Sequence, residues 1–251
     1  MQYAVLSDIH GNLEALTAVA DALKAEGISR VLCLGDIVGY GADPSACLER
    51  IQGMGAPIVC GNHEAGCIGR LSLDWFHDAA KAALEWTRDQ LSFGELDTLR
   101  RMPMIETTDA FTLVHASPRH PERFTYLFDA AHAAEALSHC RTPICLVGHT
   151  HIPWFVAWDK SRRALLHVAA EPAALENATW DAKDPNARVL INPGSVGQPR
   201  DGDPRASFAV VDPEAGTCSI RRVVYAISAA QEKIRRAGLP AILADRLAVG
   251  R

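Results

Sequence analysis

The sequence predicts a layered α/β fold, on three observations. Short, almost wholly apolar runs alternate with segments whose apolar residues recur at helical spacing. The early runs lack the polar alternation of a half-exposed strand, as expected when both faces of a sheet are covered. No apolar run reaches the roughly 18 residues of a membrane span, and 251 residues suffice for a substantial core.

YAVLS at 3–7 reads as the first strand, and NLEALTAVADALKAE at 12–26 as the first helix, closed by Gly27. VLCLG at 31–35, a helix from about 44 to 53, and PIVCG at 57–61 repeat the strand–loop–helix order. Residues 70–101 differ, because WFHDAAKAALEWTRDQL and GELDTLRRM are helical with no strand between them and stop at Pro103. They predict a helical cap inserted into a single domain spanning 1–251. Strands resume with FTLVH (111–115) and PICLVG (143–148), on either side of a helix near 129–140. The second half is strand-rich, with PWFVAW, RALLHV, RVLIN, ASFAVV and CSIRRVVY before a helical tail. Residues 172–187 have no clear period and read as a surface excursion.

Composition is that of an ordinary soluble protein, 48% hydrophobic and 22% charged. The opening MQYAVLSDIHGN has neither a basic n-region nor a long apolar h-region, so a cytoplasmic location without a signal peptide is expected. Seven cysteines, odd in number and without a CxxC pair, suit core thiols in a reducing compartment. Redox chemistry at Cys33 or Cys60 is conceivable beside the predicted site, but strand packing explains both. A net charge of −5 and the lack of a Lys/Arg cluster argue against long nucleic acids, and nothing points to a membrane.

The chemistry lies just past the strand ends. Asp8 and His10 follow the first predicted strand, Asp36 the second, Asn62 and His63 the third, His115 follows FTLV, and His149 and His151 follow PICLVG. Sites in open α/β sheets form outside the carboxyl ends of strands, so these residues are expected to converge. Extended backbone would aim both ligands of Asp8-x-His10, and of His149-x-His151, to one side. Gly11, Gly35, Gly61 and Gly148 adjoin them, where a tight turn or close approach favours a residue without Cβ. Seven candidate ligands (Asp8, His10, Asp36, Asn62, His115, His149, His151) exceed the needs of one tetrahedral zinc and suit two divalent ions. Imidazole and oxygen donors without thiolate favour Mn, Fe, Zn, Ni or Co over Ca or Mg. A lone DxH or HxH means little; five blocks in order, each after a strand, are specific.

Those blocks, SDIHGN, LGDIVGYG, GNHE, LVHASP and LVGHTH, resemble the signature of the calcineurin-like metallophosphoesterase superfamily. NPGSVGQPRDGDPRAS (192–207) resembles a further segment of its small bacterial phosphodiesterase branch, which includes relatives of diadenosine tetraphosphatases. The resemblance implies a four-layer α/β/β/α sandwich of two mixed sheets flanked by helices. It implies that Asp8, His10, Asp36 and His151 bind one metal while Asp36, Asn62, His115 and His149 bind the other, with Asp36 as the bridge. Two divalent cations, two carboxylates and a bridging hydroxide nucleophile leave about one positive charge for a phosphate. His63 is implied to protonate the leaving oxygen or stabilise phosphoryl charge. The family usually has Asp where this chain has Glu64, and that acid is expected to orient His63.

The expected activity is hydrolysis of a small phosphodiester, nucleotide or metabolite. Alternatives are a phosphoprotein or dinucleoside polyphosphate phosphatase, and a non-catalytic metal-binding scaffold. Arg119 and Arg200 are candidates for gripping phosphate. Among Tyr40, Trp75, Phe76, Phe124 and Tyr126, some can stack on an aromatic group, with helix packing expected for Trp75 and Phe76. Gly194, Ser195 and Gly197 read as a turn, with an anion-binding nest as the alternative. His77, His120, His132, His139 and His167 lack such context and read as surface or structural residues.

Overall fold

A computed structural model describes all 251 residues. The chain begins β1 (Tyr3–Leu6), α1 (Leu13–Ala25), β2 (Val31–Cys33), α2 (Pro44–Gly53), α3 (Asn62–Cys67), α4 (Asp78–Gln90) and α5 (Phe93–Arg101). It continues β3 (Ile105–Thr107), β4 (Phe111–Val114), α6 (Ala130–His139), β5 (Ile144–Leu146), β6 (Trp154–Asp159) and β7 (Ala164–Ala169). The remainder is α7 (Pro172–Leu175), β8 (Ala178–Thr179), β9 (Ala187–Asn192), β10 (Ala206–Asp212), β11 (Thr217–Val223), α8 (Ile227–Arg236) and α9 (Ala241–Asp245).

Two mixed sheets result, one in the order β2-β1-β10-β11-β8 and one in the order β3-β4-β5-β9-β6-β7. β1 and β2 are parallel, as are β4, β5 and β9, so these strands deliver their carboxyl ends in common directions. Side-chain alternation along β1 explains the layering: Val5 packs between the sheets with Leu32, Leu113, Phe155 and Val211, while Ala4 and Leu6 face outward to the helices. Both faces are therefore apolar, which is why these strands carry no polar alternation. Helices α1, α2, α8 and α9 cover the first sheet through Leu16, Val19, Leu48, Ile234 and Leu243. α6 covers the second through Ala133 and Leu137, against Val156 and Trp158. The four layers are those the resemblance implied.

Local signals set the helices. Asn12 caps α1 by accepting from Ala15 N–H at 3.1 Å, and Ala15, Leu16, Val19 and Leu23 form its buried stripe. Ser92 and Glu95 form a capping box at α5, and the imidazole of His77 caps α4. α4 and α5 bury Ala80, Ala83, Leu84 and Leu99 in the same apolar cluster as α1 and α2.

Three expectations change. PIVCG is not a full strand, because only Ile58 bridges Cys33 before Cys60 N–H turns to the Pro103 carbonyl. The expected surface excursion at 172–187 contributes α7 and β8, and β8 extends the first sheet by pairing with β11. Asn62 and His63, expected just past the end of the PIVCG strand, open a six-residue helix instead of following a full strand. No helix is long and apolar enough to cross a membrane.

Candidate metal centre

Asp8 and His10 lie past β1, Asp36 past β2, Asn62 and His63 at the start of α3, His115 past β4, and His149 and His151 past β5. All are buried. The local backbone is not the extended one expected: Asp8, His10, Asp36, His149 and His151 all have left-handed φ, between 51° and 68°. That conformation is costly for residues with a Cβ and persists where surroundings over-determine it. Here His10 N–H donates to Asp36 O at 2.9 Å, Asp8 N–H to Gly35 O at 3.1 Å, and Gly148 N–H to His115 O at 2.8 Å. Each ligand loop is thus tied to another. Close approach also explains Gly61 and Gly148, where a Cβ would overlap the Asp36 carboxylate and the Ser7 hydroxyl, respectively.

The side chains meet acceptor to acceptor. Three imidazoles have Nδ1 against a backbone carbonyl: His10 with Val38 at 3.2 Å, His115 with Leu34 at 2.8 Å and His151 with Gln198 at 2.6 Å. Carbonyls only accept, so Nδ1 carries a hydrogen and the Nε2 of each neutral ring turns a lone pair inward. His10 Nε2 then lies 3.1 Å from His151 Nε2, and His115 Nε2 lies 3.1 Å from His149 Nδ1 and 3.0 Å from Asn62 Oδ1. Asp8 anchors Oδ2 on Ser7 Oγ and His149 N–H, while its buried Oδ1 has no donor. Asp36 accepts His63 N–H at Oδ1 and turns Oδ2 toward His115 and His10, at 3.3 and 3.7 Å. Such a set repels itself unless positive charge sits within it, so the donors fit cations. The sets Asp8/His10/His151, Asp36/His115/His149 and His10/Asp36/His63 each bring ligand atoms within 4.8 Å of one another.

Titration follows the same geometry. Burial opposes ionisation of Asp8 and Asp36, but the imidazoles outweigh it, His151 foremost for Asp8 and His115 for Asp36, and hold both carboxyls low. Burial also disfavours charge on His115, yet Asp36 and Asp8 prevail and lift it to about 9, so this ring holds a proton on Nε2 until a cation displaces it. Burial and the neighbouring His115 push His149 down to about 3. Burial takes His63 to about 4.

Glu64 does not orient His63. Its Oε2 accepts the N–H groups of Asp36 at 2.7 Å and Gly61 at 2.9 Å, and its Oε1 those of Ile37 at 2.7 Å and Val38 at 3.2 Å. The longer side chain thereby clamps the Asp36 loop to the start of α3. Burial and the Asp36 charge push its carboxyl up to about 7, against the pull of those donors. His63 is instead positioned by packing: Tyr40 lies 4.4 Å, His10 4.6 Å and Phe76 5.4 Å from its ring centre. Its buried Nδ1 has no partner and sits against Gly39.

The two arginines part ways. Arg200 lies over the Tyr40 ring and donates to Gln198 Oε1 at 3.0 Å, beside His151. Arg119 is exposed and ion-paired with Glu135 of α6, with no side-chain hydrogen bond or ion pair to a residue of the cluster. The 194–198 segment is neither a plain turn nor an anion nest, since Val196 and Gly197 donate their N–H groups to the Ser7 and Asp8 carbonyls. Ser195 Oγ adds a 2.7 Å bond to Asp8 O. This brace is a supporting feature that sequence reasoning missed, as is Phe128, which stacks on Tyr126 beside His149. All seven cysteines are buried.

Comparison with known proteins agrees with this geometry. The profile of the calcineurin-like phosphoesterase superfamily domain matches residues 1–216. An uncharacterized protein of Methanocaldococcus jannaschii is 40% identical over 99% of this chain and 98% of its own length. The crystal structure of a metallophosphoesterase from Sphaerobacter thermophilus superposes with a TM-score of 0.85 at 40% identity, covering 100% of this chain and 99% of that one. A hypothetical protein from Pyrococcus horikoshii shares the fold, with a TM-score of 0.76 at 22% identity over 100% of this chain and 98% of its own. The chain therefore belongs to the calcineurin-like phosphoesterase superfamily and is a hydrolase of phosphoester bonds.

Proposed function

We propose that this hydrolase is a phosphodiesterase for a small nucleotide or similar metabolite and works with two divalent cations. Asp8, His10, Asp36 and His151 would hold one, and Asp36, Asn62, His115 and His149 the other. The observation carrying this reading is the pair of meeting points between inward lone pairs, 3.1 Å apart at His10/His151 and at His115/His149, with the two carboxylates beside them. Imidazole and oxygen donors suit Mn, Fe, Zn, Ni or Co. When bound, such ions polarise the phosphoryl oxygens and lower the pKa of water from about 15.7 toward about 7.

The chain's own groups then have defined tasks. Asp8 and Asp36 hold negative charge in a buried site because neighbouring imidazoles favour it. The carbonyls of Val38, Leu34 and Gln198 fix three imidazole tautomers before substrate arrives, so no reorganisation is needed during reaction. His63, held by Asp36 and wedged against Gly39, offers a ring nitrogen to the phosphoryl or leaving oxygen. Arg200 supplies a guanidinium fork for phosphate oxygens. The net charge of −5 disfavours long polyanions and supports a small substrate.

The test is hydrolysis of bis-p-nitrophenyl phosphate by metal-stripped protein with each ion restored in turn, beside an Asp36→Asn control. Turnover that needs metal and Asp36 supports the reading. A protein inactive with every ion on this diester, but active on phosphopeptides or dinucleoside polyphosphates, would replace it.

A further inference from the structure

Two aromatic rings stand at the mouth of the centre without a task in the reaction described above. Residues 124–128 carry no helix, and Tyr126 and Phe128 send their rings to one side while Leu127 is buried on the other, in the α6 core. Tyr126 stacks on the His149 imidazole at 3.8 Å between ring centres and 21° between planes. Phe128 stacks in turn on Tyr126, at 5.1 Å and 7°. The step outward ends in water: Tyr126 is 41% exposed and Phe128 66%. Asp129 follows at once and caps α6 by accepting His132 N–H at 2.9 Å, which anchors the far side of the pair.

The other aromatic residues near the centre are spoken for. Tyr40 and Phe124 are buried, Tyr40 against His10 and His63, Phe124 against His115. Phe76 meets His63 edge-on within the packing of α4. Trp75 is exposed but has no ring contact with the cluster. Only Phe128 and the free edge of Tyr126 give an apolar planar surface open to solvent and continuous with a candidate ligand.

We infer that Tyr126 and Phe128 form a stacking ledge that takes the base of a nucleoside phosphate whose phosphate lies at the His149 side of the centre. Phe128 stands two ring spacings out from His149, 3.8 and 5.1 Å in turn. The stack at His149 orients Tyr126, and Tyr126 orients Phe128, so the outer face is preorganised and little side-chain entropy is lost on binding. Stacking is tolerant of base identity, because every base has a π-face. The ledge therefore selects nucleosides over aliphatic groups without choosing among bases. This inference rests on the phosphodiesterase reading of the same centre.

Calorimetric titration of Mn²⁺-loaded protein with adenosine 5′-monophosphate and with ribose 5-phosphate tests it, because the sugar phosphate carries a hydroxyl where the nucleotide carries its base, and binding needs no turnover. The wild-type chain should bind the nucleotide about tenfold or more tighter than the sugar phosphate. Phe128→Ala should bring the two within about twofold by weakening the nucleotide alone, and Phe128→Trp should restore the gap. Equal affinities in the wild-type chain, failure of both ligands to bind, or a gap that survives Phe128→Ala would overturn the ledge. A nucleotide preference that vanishes in Phe128→Ala, in a protein that hydrolyses no diester, would uphold the ledge while sinking the reaction assigned to the centre.

Discussion

Replacing Glu64 by Gln exchanges one oxygen for an amide and probes what braces the Asp36 loop. The carboxylate accepts four backbone N–H groups, two on each oxygen. A Gln amide nitrogen must occupy one of those positions. Placed at Oε2 it faces the N–H groups of Asp36 and Gly61, and at Oε1 those of Ile37 and Val38. Either way two buried donors lose their acceptor and meet another donor. At about 1–3 kcal/mol for each unsatisfied group, the loss is about 2–6 kcal/mol. That is a large share of the roughly 5–15 kcal/mol by which domains are stable. Urea unfolding should show a midpoint lowered by about 1 M or more with little change in slope. Because Asp36 N–H is one of the four, hydrolysis and metal retention should fall together. A midpoint within about 0.3 M of wild type, with only kcat reduced, would mean that Glu64 acts on His63 and that the clamp does not matter.

Gly39→Ala should displace His63, since its φ is +84° and a Cβ there would overlap Nδ1; hydrolysis should drop about tenfold or more while metal content by mass spectrometry stays unchanged. Arg200→Ala should lower kcat/KM about tenfold or more through lost phosphate contacts, whereas Arg119→Ala, already paired with Glu135, should change it less than about threefold. A thiol reagent should find no reactive cysteine in the native chain and all seven in denaturant, because every thiol is buried, with Cys33 and Cys67 pushed up to about 12 chiefly by that burial.

The strands and the convergence of the ligands were legible because both follow from periodicity and strand ends: Asp8, Asp36, His115 and His149 were placed correctly by that rule alone. The way they converge was not. Local sequence gives no reason for Asp and His to adopt left-handed backbone, since the conformation is imposed by bonds between loops distant in the chain, such as His10 N–H to Asp36 O. The role of Glu64 was hidden for a similar reason, because its partners at 36–38 become neighbours only once β2 and α3 are packed. Arg119 was over-read, as a basic residue in a promising loop cannot reveal that Glu135 of α6 will capture it. Phe128 was passed over because the signal that pairs it with Tyr126 is weak. Its signal was the i, i+2 spacing around Leu127 just before the Asp129 cap.

The most direct test of the central claim is anomalous diffraction from crystals loaded with Mn²⁺. The account predicts two peaks, one bounded by Asp8, His10 and His151, the other by Asn62, His115 and His149, with Asp36 touching both. A single peak, or two peaks that Asp36 does not join, would contradict it.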